Sequence, residues 1–493
     1  MLAADRGGFV DRHDLWTEAQ YAAAGQLRRV VDEVGVELVR LAFVDQHGVL
    51  RGKSVTVDAL SGALRNGITA PSSLLLKDTS GRSVFSVFSS EVGVGVEGFS
   101  GAGDMVLVPD PSTFRLLPWS EGTGWMLCDL RFPDGSEIPF CPRTILRRAL
   151  ARLADRGFAM TVGVELEFHV FRATEDELGP ERISAPGRPG LPPAVVPTTP
   201  GAQLLHEEAL DGLDDLVRAL NQGLTRLDLP LRSIELEFGP GQLEITLAPA
   251  DALTAADHVA LCRSAIRQIC RRHGYRATFM SRPAGTETAS TGWHLHQSLT
   301  DVGSGESAFA PPTPSADGPA YPVLSITAQR WLAGLLAHAP AAAAFATPTV
   351  NGYKRYQPFS LAPDRVVWGI DNKGAMVRAV GGVGDPATRL ENRSGEPAAN
   401  PYLYVASQII SGLDGIDHEL DPGDPTEDPY AADAERLPAS LADALDALEA
   451  DPAFAAALGP EVVAWFAGLK RAEVARYLAH VSDWEQREYF GLL

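Results

Sequence analysis

The sequence predicts a mixed α+β fold, with a small β-rich N-terminal region followed by a larger α/β region. Three observations carry this. Residues 36–43 alternate about a strand axis, and more short strands follow before residue 130. From Pro142 onward, helical periodicities alternate with strand-like runs. Within those later strands, acidic or imidazole side chains recur two residues apart among apolar neighbours, at Glu165/Glu167, Glu235/Glu237 and His294/His296. Positions i and i+2 of a strand share a face.

The elements follow in order. Residues 15–34 read as an amphipathic helix that stops at Gly35. Residues 36–43 and 51–57 read as strands joined by the turn Asp45-Gln46-His47-Gly48, and 104–109 as a further strand. This divides the chain into a helical segment (1–34), a β-rich domain (35–130) and a large domain (135–493). In the large domain, Pro142 opens a helix over 142–156, because proline suits the first helical turn. A strand at 158–171 carries Glu165 and Glu167. Residues 184–201, rich in Pro and Gly, read as a surface loop. A helix over 210–227 precedes strands at 233–238 and 242–247 around Gly239-Pro240-Gly241. Then come a helix over 255–273, a strand over 294–299, a loop over 301–319, a helix over 327–344 and a helical C-terminal part from about residue 401.

Composition narrows the function. The 493 residues include 42 Lys plus Arg against 63 Asp plus Glu, a formal charge of -21. That argues against binding nucleic acid or an anionic membrane through a basic surface. Cys128, Cys141, Cys262 and Cys270 form no CxxC pair, so neither a disulfide scaffold nor a zinc site is expected, and a reducing cytoplasm fits. No apolar run reaches the roughly 18 residues of a membrane span.

A buried carboxylate face is costly unless positive charge lies over it. Glu237 and Glu244 bracket a tight turn, so a hairpin would bring them together. One such pair is commonly just the polar side of a half-exposed strand. Three pairs point to an oxygen-rich site for Mg²⁺ or Mn²⁺ that tolerates an imidazole. Lys373, Arg355, Arg378, Arg389 and Arg393 lie in Gly-, Pro- or aromatic-containing segments rather than on amphipathic helices. Single arginines there would be read as solvated, but a group of them suits a carboxylate and a nucleotide phosphate. There is no P-loop, no Rossmann turn and no GxSxG elbow.

Together these segments resemble the glutamine synthetase family. Residues 45–53 and 103–110 resemble its N-terminal β-grasp domain. Glu165-Leu166-Glu167, Glu237 through Glu244, Gly292 through Ser298, Asn351 through Arg355 and Glu391-Asn392-Arg393 resemble its catalytic signatures. The resemblance implies a β-grasp domain plus a larger catalytic α/β domain, ATP, two or more Mg²⁺ or Mn²⁺ ions, and a homo-oligomeric ring, a dodecamer, with active sites between neighbours. It implies that Glu165, His294 and Glu391 hold one ion and Glu167, Glu237 and Glu244 another. His296 and Ser298 would lie near ATP, with Arg389 on phosphate. Arg355 and Arg393 would bind the carboxylate substrate, glutamate, while Arg378 and Lys373 would be catalytic.

The departures from the family pattern concern the nucleophile. Ala70 stands where the family places an ammonium-binding Asp, and Leu361 where it places a proton-accepting Glu. Ala289-Ser290 replaces an Asn-Gly pair that contacts glutamate, and Lys373 replaces an arginine. The expected activity is therefore ATP-dependent joining of the γ-carboxylate of glutamate to an organic primary amine, aromatic or weakly basic, through an acyl phosphate. The alternatives are glutamine synthesis from ammonium, a catalytically silent subunit, and a ligase for another carboxylate.

Overall fold

The computed structural model describes residues 6–89, 91–175, 179–283, 289–311 and 323–493. The first five residues of the expected N-terminal segment and most of the second half of the 301–319 loop lie outside them.

The N-terminal sheet comprises β1 (Leu38–Val44), β2 (Leu50–Thr56), β3 (Ile68–Pro71), β4 (Asp104–Pro109), β5 (Arg115–Leu116) and β6 (Thr123–Arg131), with spatial order β2-β1-β6-β4-β3 and β5 beside β6. The pair β1/β6 is parallel and the other pairs are antiparallel. Helix Val57–Asn66 packs on this sheet, in keeping with a β-grasp arrangement. Helix Glu18–Val34 starts at a Thr17/Gln20 capping box and ends at Gly35, which takes the left-handed φ of +72°. The strand β6 escapes the sequence reading because nearly every residue in it is buried, so it shows no alternation.

The second sheet comprises β7 (Phe158–Ala173), β8 (Val195–Pro197), β9 (Leu231–Leu236), β10 (Gln242–Asp251), β11 (Tyr275–Thr278), β12 (Trp293–Asp301), β13 (Trp368–Ile370), β14 (Val377–Val380) and β15 (Arg389–Asn392). Its main order is β13-β14-β15-β12-β7-β10-β9. Val162, Val164, Leu166, Phe168 and Val170 of β7 are fully or almost fully buried. Helices Pro142–Ala154 and Ala252–Arg272 pack against this strand, and Pro401–Asp417 packs on both helices. The odd-numbered positions of β7 carry Thr161, Glu165, Glu167 and His169.

Two expected helices are interrupted. Residues 327–344 split into Ile326–Ala337 and Ala339–Ala346, because Pro340 cannot continue the first helix. Residues 210–227 split into Glu207–Asp211 and Asp214–Arg226 around Gly212.

Buried arginines tie the two sheets together. Arg143 donates to Asp110, Asp129 and Asp257 at 2.8–3.0 Å. Arg263 donates to the carbonyls of Pro397, Ala399 and Gly48 at 2.7–2.9 Å, and Asn400 donates to the Asp45 carbonyl at 2.9 Å. The β1–β2 turn is thus fixed against the segment that leaves Arg393. No single helix among the described residues is long and apolar enough to cross a membrane.

Candidate active site

Strand register gathers the polar clusters. Glu165 of β7 lies opposite His294 of β12, and Glu167 lies opposite Glu244 of β10. Farther out, His296 lies opposite Glu391, and Glu391 opposite Arg378. Four strands therefore deliver six carboxylate and imidazole groups to one face. Glu237 sits at the end of the hairpin, its N–H donating to the Gln242 carbonyl at 3.0 Å. The tight turn needs Gly241, whose φ is +64° and where a Cβ would lie 2.3 Å from the Val170 carbonyl.

The imidazoles face the acids closely. His294 Nδ1 is 3.2 Å from Glu165 Oε2 and 3.7 Å from Glu391 Oε1, and its Nε2 is 3.8 Å from Glu167 Oε1. His296 Nε2 is 2.9 Å from Glu165 Oε1, while its Nδ1 accepts from Arg389 Nε at 3.1 Å. Ligand atoms of Glu165, Glu244 and His294 lie within 4.8 Å of one another, as do those of Glu165, His296 and Glu391. His296 is thus within reach of an ion, and Glu165 is common to both groups.

The electrostatics describe a site short of positive charge on one side. Burial, then the charge on Glu167, pushes Glu244 up to about 9. Burial and Glu237 push Glu167 up to about 7, and burial raises Glu237. Burial and Arg393 lower His294 to about 4, so its imidazole is neutral near pH 7, the form that ligates metal. Burial would raise Glu165, but the two imidazoles beside it hold it well below its usual range. A divalent cation would relieve the repulsion among Glu167, Glu237 and Glu244, so the donor set fits one.

The arginines lie alongside. Arg393 Nη1 is 2.5 Å from Glu391 and its Nη2 donates to the Leu361 carbonyl at 3.4 Å. Arg355 is buried and donates to the carbonyls of Ser394 and Arg393 at 2.9 and 3.4 Å. Among the described residues, each of the two arginines keeps a buried Nε–H without a hydrogen-bond partner, a deficit that an anion can meet. Arg378 is divided between Asp371 (2.6 and 2.9 Å) and Glu391 (2.8 Å), so it orients Glu391. Lys373 is exposed on the turn before β14, and its charge reaches Glu237.

A cavity of about 480 Å³ opens beside the acids, with Glu165, His296, Ser298, Arg389, Arg232 and Thr246 in its wall. His296, Ser298 and Arg389 therefore share one space. The sequence reading did not single out Arg232. Neighbouring residues support the acids, and two of them, Gln242 and Gly292, carry no role in the sequence analysis. Glu235 lies opposite Glu244 in register. Gln242 Nε2 donates to Glu167 Oε2 at 2.7 Å, as does the Gly292 N–H at 2.8 Å. At Gly292 a Cβ would stand 2.7 Å from Arg355 Nη2 and 3.2 Å from His294 Nε2. The signal for two of these was adjacency, since Gln242 and Gly292 lie two residues before Glu244 and His294. Ala289 and Ser290 flank the hairpin: a Cβ on Gly239 would meet Ala289 Cβ at 3.0 Å, and the Ser290 carbonyl accepts from Gln242 at 3.3 Å.

Residues 139–489 match the glutamine synthetase catalytic domain, and the chain belongs to that family. It is 44% identical to the γ-glutamylanilide synthase of an Acinetobacter species, over 98% of this chain and 99% of that one. It is 34% identical to the glutamine synthetase of Halobacterium salinarum, over 94% and 96% of the two chains. Among solved structures, ligand-free GmaS superposes with a TM-score of 0.75 at 31% identity, over 94% of this chain and 99% of that one.

Proposed function

We infer that the protein is an ATP-dependent ligase that joins the γ-carboxylate of glutamate to an organic primary amine. The observation that carries this is the pairing of an intact acid–imidazole–arginine site with an apolar amine side. Leu361 offers its carbonyl to Arg393 and is 54% exposed at the edge of the site. Ala70, which departs from the family at the ammonium position, is buried in β3. The similarity to a γ-glutamylanilide synthase supports the same reading.

Glu165, Glu167, Glu237, Glu244, His294, His296 and Glu391 would hold two or more Mg²⁺ or Mn²⁺ ions. These would supply charge neutralisation for phosphoryl transfer. Arg355 and Arg393 bind the glutamate carboxylate through their unpartnered N–H groups. Arg389, from the wall of the 480 Å³ cavity, contacts ATP phosphate beside His296 and Ser298. A γ-carboxylate oxygen attacks the terminal phosphorus, ADP leaves and an acyl phosphate forms. The amine nitrogen then attacks the acyl carbon, phosphate leaves with one former carboxylate oxygen, and the nitrogen loses a proton. Lys373, exposed on its turn, and Arg378, through Glu391, offset the charge that develops.

An ammonium ion must lose a proton before attack. A weakly basic amine arrives neutral near pH 7 and needs no carboxylate for that step. Glutamine synthesis from ammonium is the second reading, favoured by the resemblance to the halobacterial enzyme. A homo-oligomeric ring, a dodecamer by family resemblance, would place a neighbour's β-grasp domain at each amine side. The test uses glutamate labelled with ¹⁸O at the γ-carboxylate. The reading predicts one ¹⁸O in released phosphate and one amide per ADP formed. Unlabelled phosphate would exclude the acyl-phosphate route, and ADP formed without amide would exclude the ligase reading.

A further inference from the structure

Residues 357–363 lead from Arg355 across the site. Two of them, Phe359 and Leu361, adopt left-handed φ values of +61°. Large L side chains avoid that region, and such strain persists only where surrounding contacts enforce it, commonly at ligand clamps. The contacts here come from both substrate arginines. Ser360 Oγ donates to the Arg355 carbonyl at 3.2 Å, and the Leu361 carbonyl accepts from Arg393.

The strained backbone presents Phe359 outward, 84% exposed, with its ring 5.0 Å from that of Tyr430 at 44°. Tyr430 is held in turn: its hydroxyl donates to the Ala362 carbonyl at 3.1 Å, and its Cε2 is 3.1 Å from where a Cβ on Gly374 would stand. Two aromatic faces and Leu361 thus form one apolar edge, flanked by Arg393 on one side and the Lys373-Gly374 turn on the other. Asp364, whose charge reaches Tyr430, is buried and faces Arg365 and Arg436 at 3.5 and 3.7 Å. A contiguous exposed apolar edge beside a charged site marks a binding surface.

We propose that Phe359 and Tyr430 are specificity-determining residues that form the aromatic wall of the amine subsite and select flat, aromatic primary amines over saturated ones. The proposal rests on the glutamate–amine ligase reading. The bound amine lies against the two rings with its nitrogen toward the acyl carbon held at Arg393, and offset or edge-to-face ring contact distinguishes it from a puckered ring of equal size.

The experiment compares aniline with cyclohexylamine at saturating ATP, Mg²⁺ and glutamate. It uses the full chain, wild type and as Phe359→Ala, Phe359→Tyr and Tyr430→Leu. Amide is read by mass, and thermal midpoint and solution mass are recorded for each variant. Phe359→Ala and Tyr430→Leu are expected to lower the aniline-to-cyclohexylamine ratio of kcat/KM by about 10-fold. The loss should fall mainly in the KM for aniline. Phe359→Tyr is expected to keep the ratio within about threefold of wild type. A ratio unmoved in both variants, while the wild type makes the anilide, overturns the wall. So does an unmoved ratio with an altered solution mass, which would make the rings a contact between subunits. A wild type that makes no amide from any amine overturns the ligase reading itself, and the wall with it.

Discussion

Replacing Glu244 by Gln tests the cation site without activity. Glu244 is fully engaged in the β7–β10 ladder, and Gln keeps its shape. Burial and the neighbouring Glu167, Glu165 and Glu237 raise it from 4.5 to about 9. The sign is that of a carboxyl whose folded pKa exceeds its unfolded one. The folded state binds the extra proton, so stability falls as pH rises from the unfolded value through the folded one. At pH 7.5 the three-unit gap above 4.5 corresponds to about 4 kcal/mol at most. Sharing the repulsion with Glu167 leaves on the order of 1–4 kcal/mol. For a chain of this length that is a rise of about 1–4 °C in the midpoint. Chelator-treated Glu244→Gln should therefore melt higher than wild type at pH 7.5, and the gap should close toward pH 5. Adding Mg²⁺ or Mn²⁺ should raise wild type more than the variant. Scanning fluorimetry across pH, with and without metal, reads both. A variant that melts lower without metal, or gains as much from metal as wild type, would show that Glu244 is neither repelled by its neighbours nor a ligand.

Three further variants have outcomes that can be measured. Gly292→Ala puts a methyl 2.7 Å from Arg355 Nη2, and displacing that charge-assisted contact should raise the glutamate KM about 10–100-fold; initial rates against glutamate check this, and ATP KM should change less. His338 lies between Asp451 (2.7 Å) and Asp414 (2.9 Å), which outweigh burial and raise its pKa. Its stabilisation is complete below pH 6.5 and lost as pH rises through the raised value, so His338→Gln should cost about 1 kcal/mol near pH 6 and little in alkali, as paired denaturation curves will report. Leu361→Glu with Ala70→Asp should raise kcat/KM for ammonium relative to organic amines by at least about 10-fold; a coupled phosphate-release assay measures it.

Much of this was legible because strand geometry is periodic. The i, i+2 acids and imidazoles were expected on shared faces, and the register of β7, β10 and β12 places them so. The Gly239-Pro240-Gly241 hairpin was visible in its turn residues. What local patterns could not supply was pairing between distant strands. Nothing near Glu391 signals that it faces both Arg378 and His296, because those neighbours come from β14 and β12. Asp371 and Arg232 were hidden for the same reason. The Phe359–Tyr430 contact joins residues 71 positions apart through a strained loop that no periodicity announces.

The most direct measurement is an amine screen at fixed ATP, Mg²⁺ and glutamate, with each product identified by mass. The expected products are γ-glutamyl amides of organic primary amines, aniline foremost, with kcat/KM for aniline at least about 10-fold above that for ammonium. Glutamine formed at low millimolar ammonium as efficiently as the best organic amide would contradict the organic-amine reading.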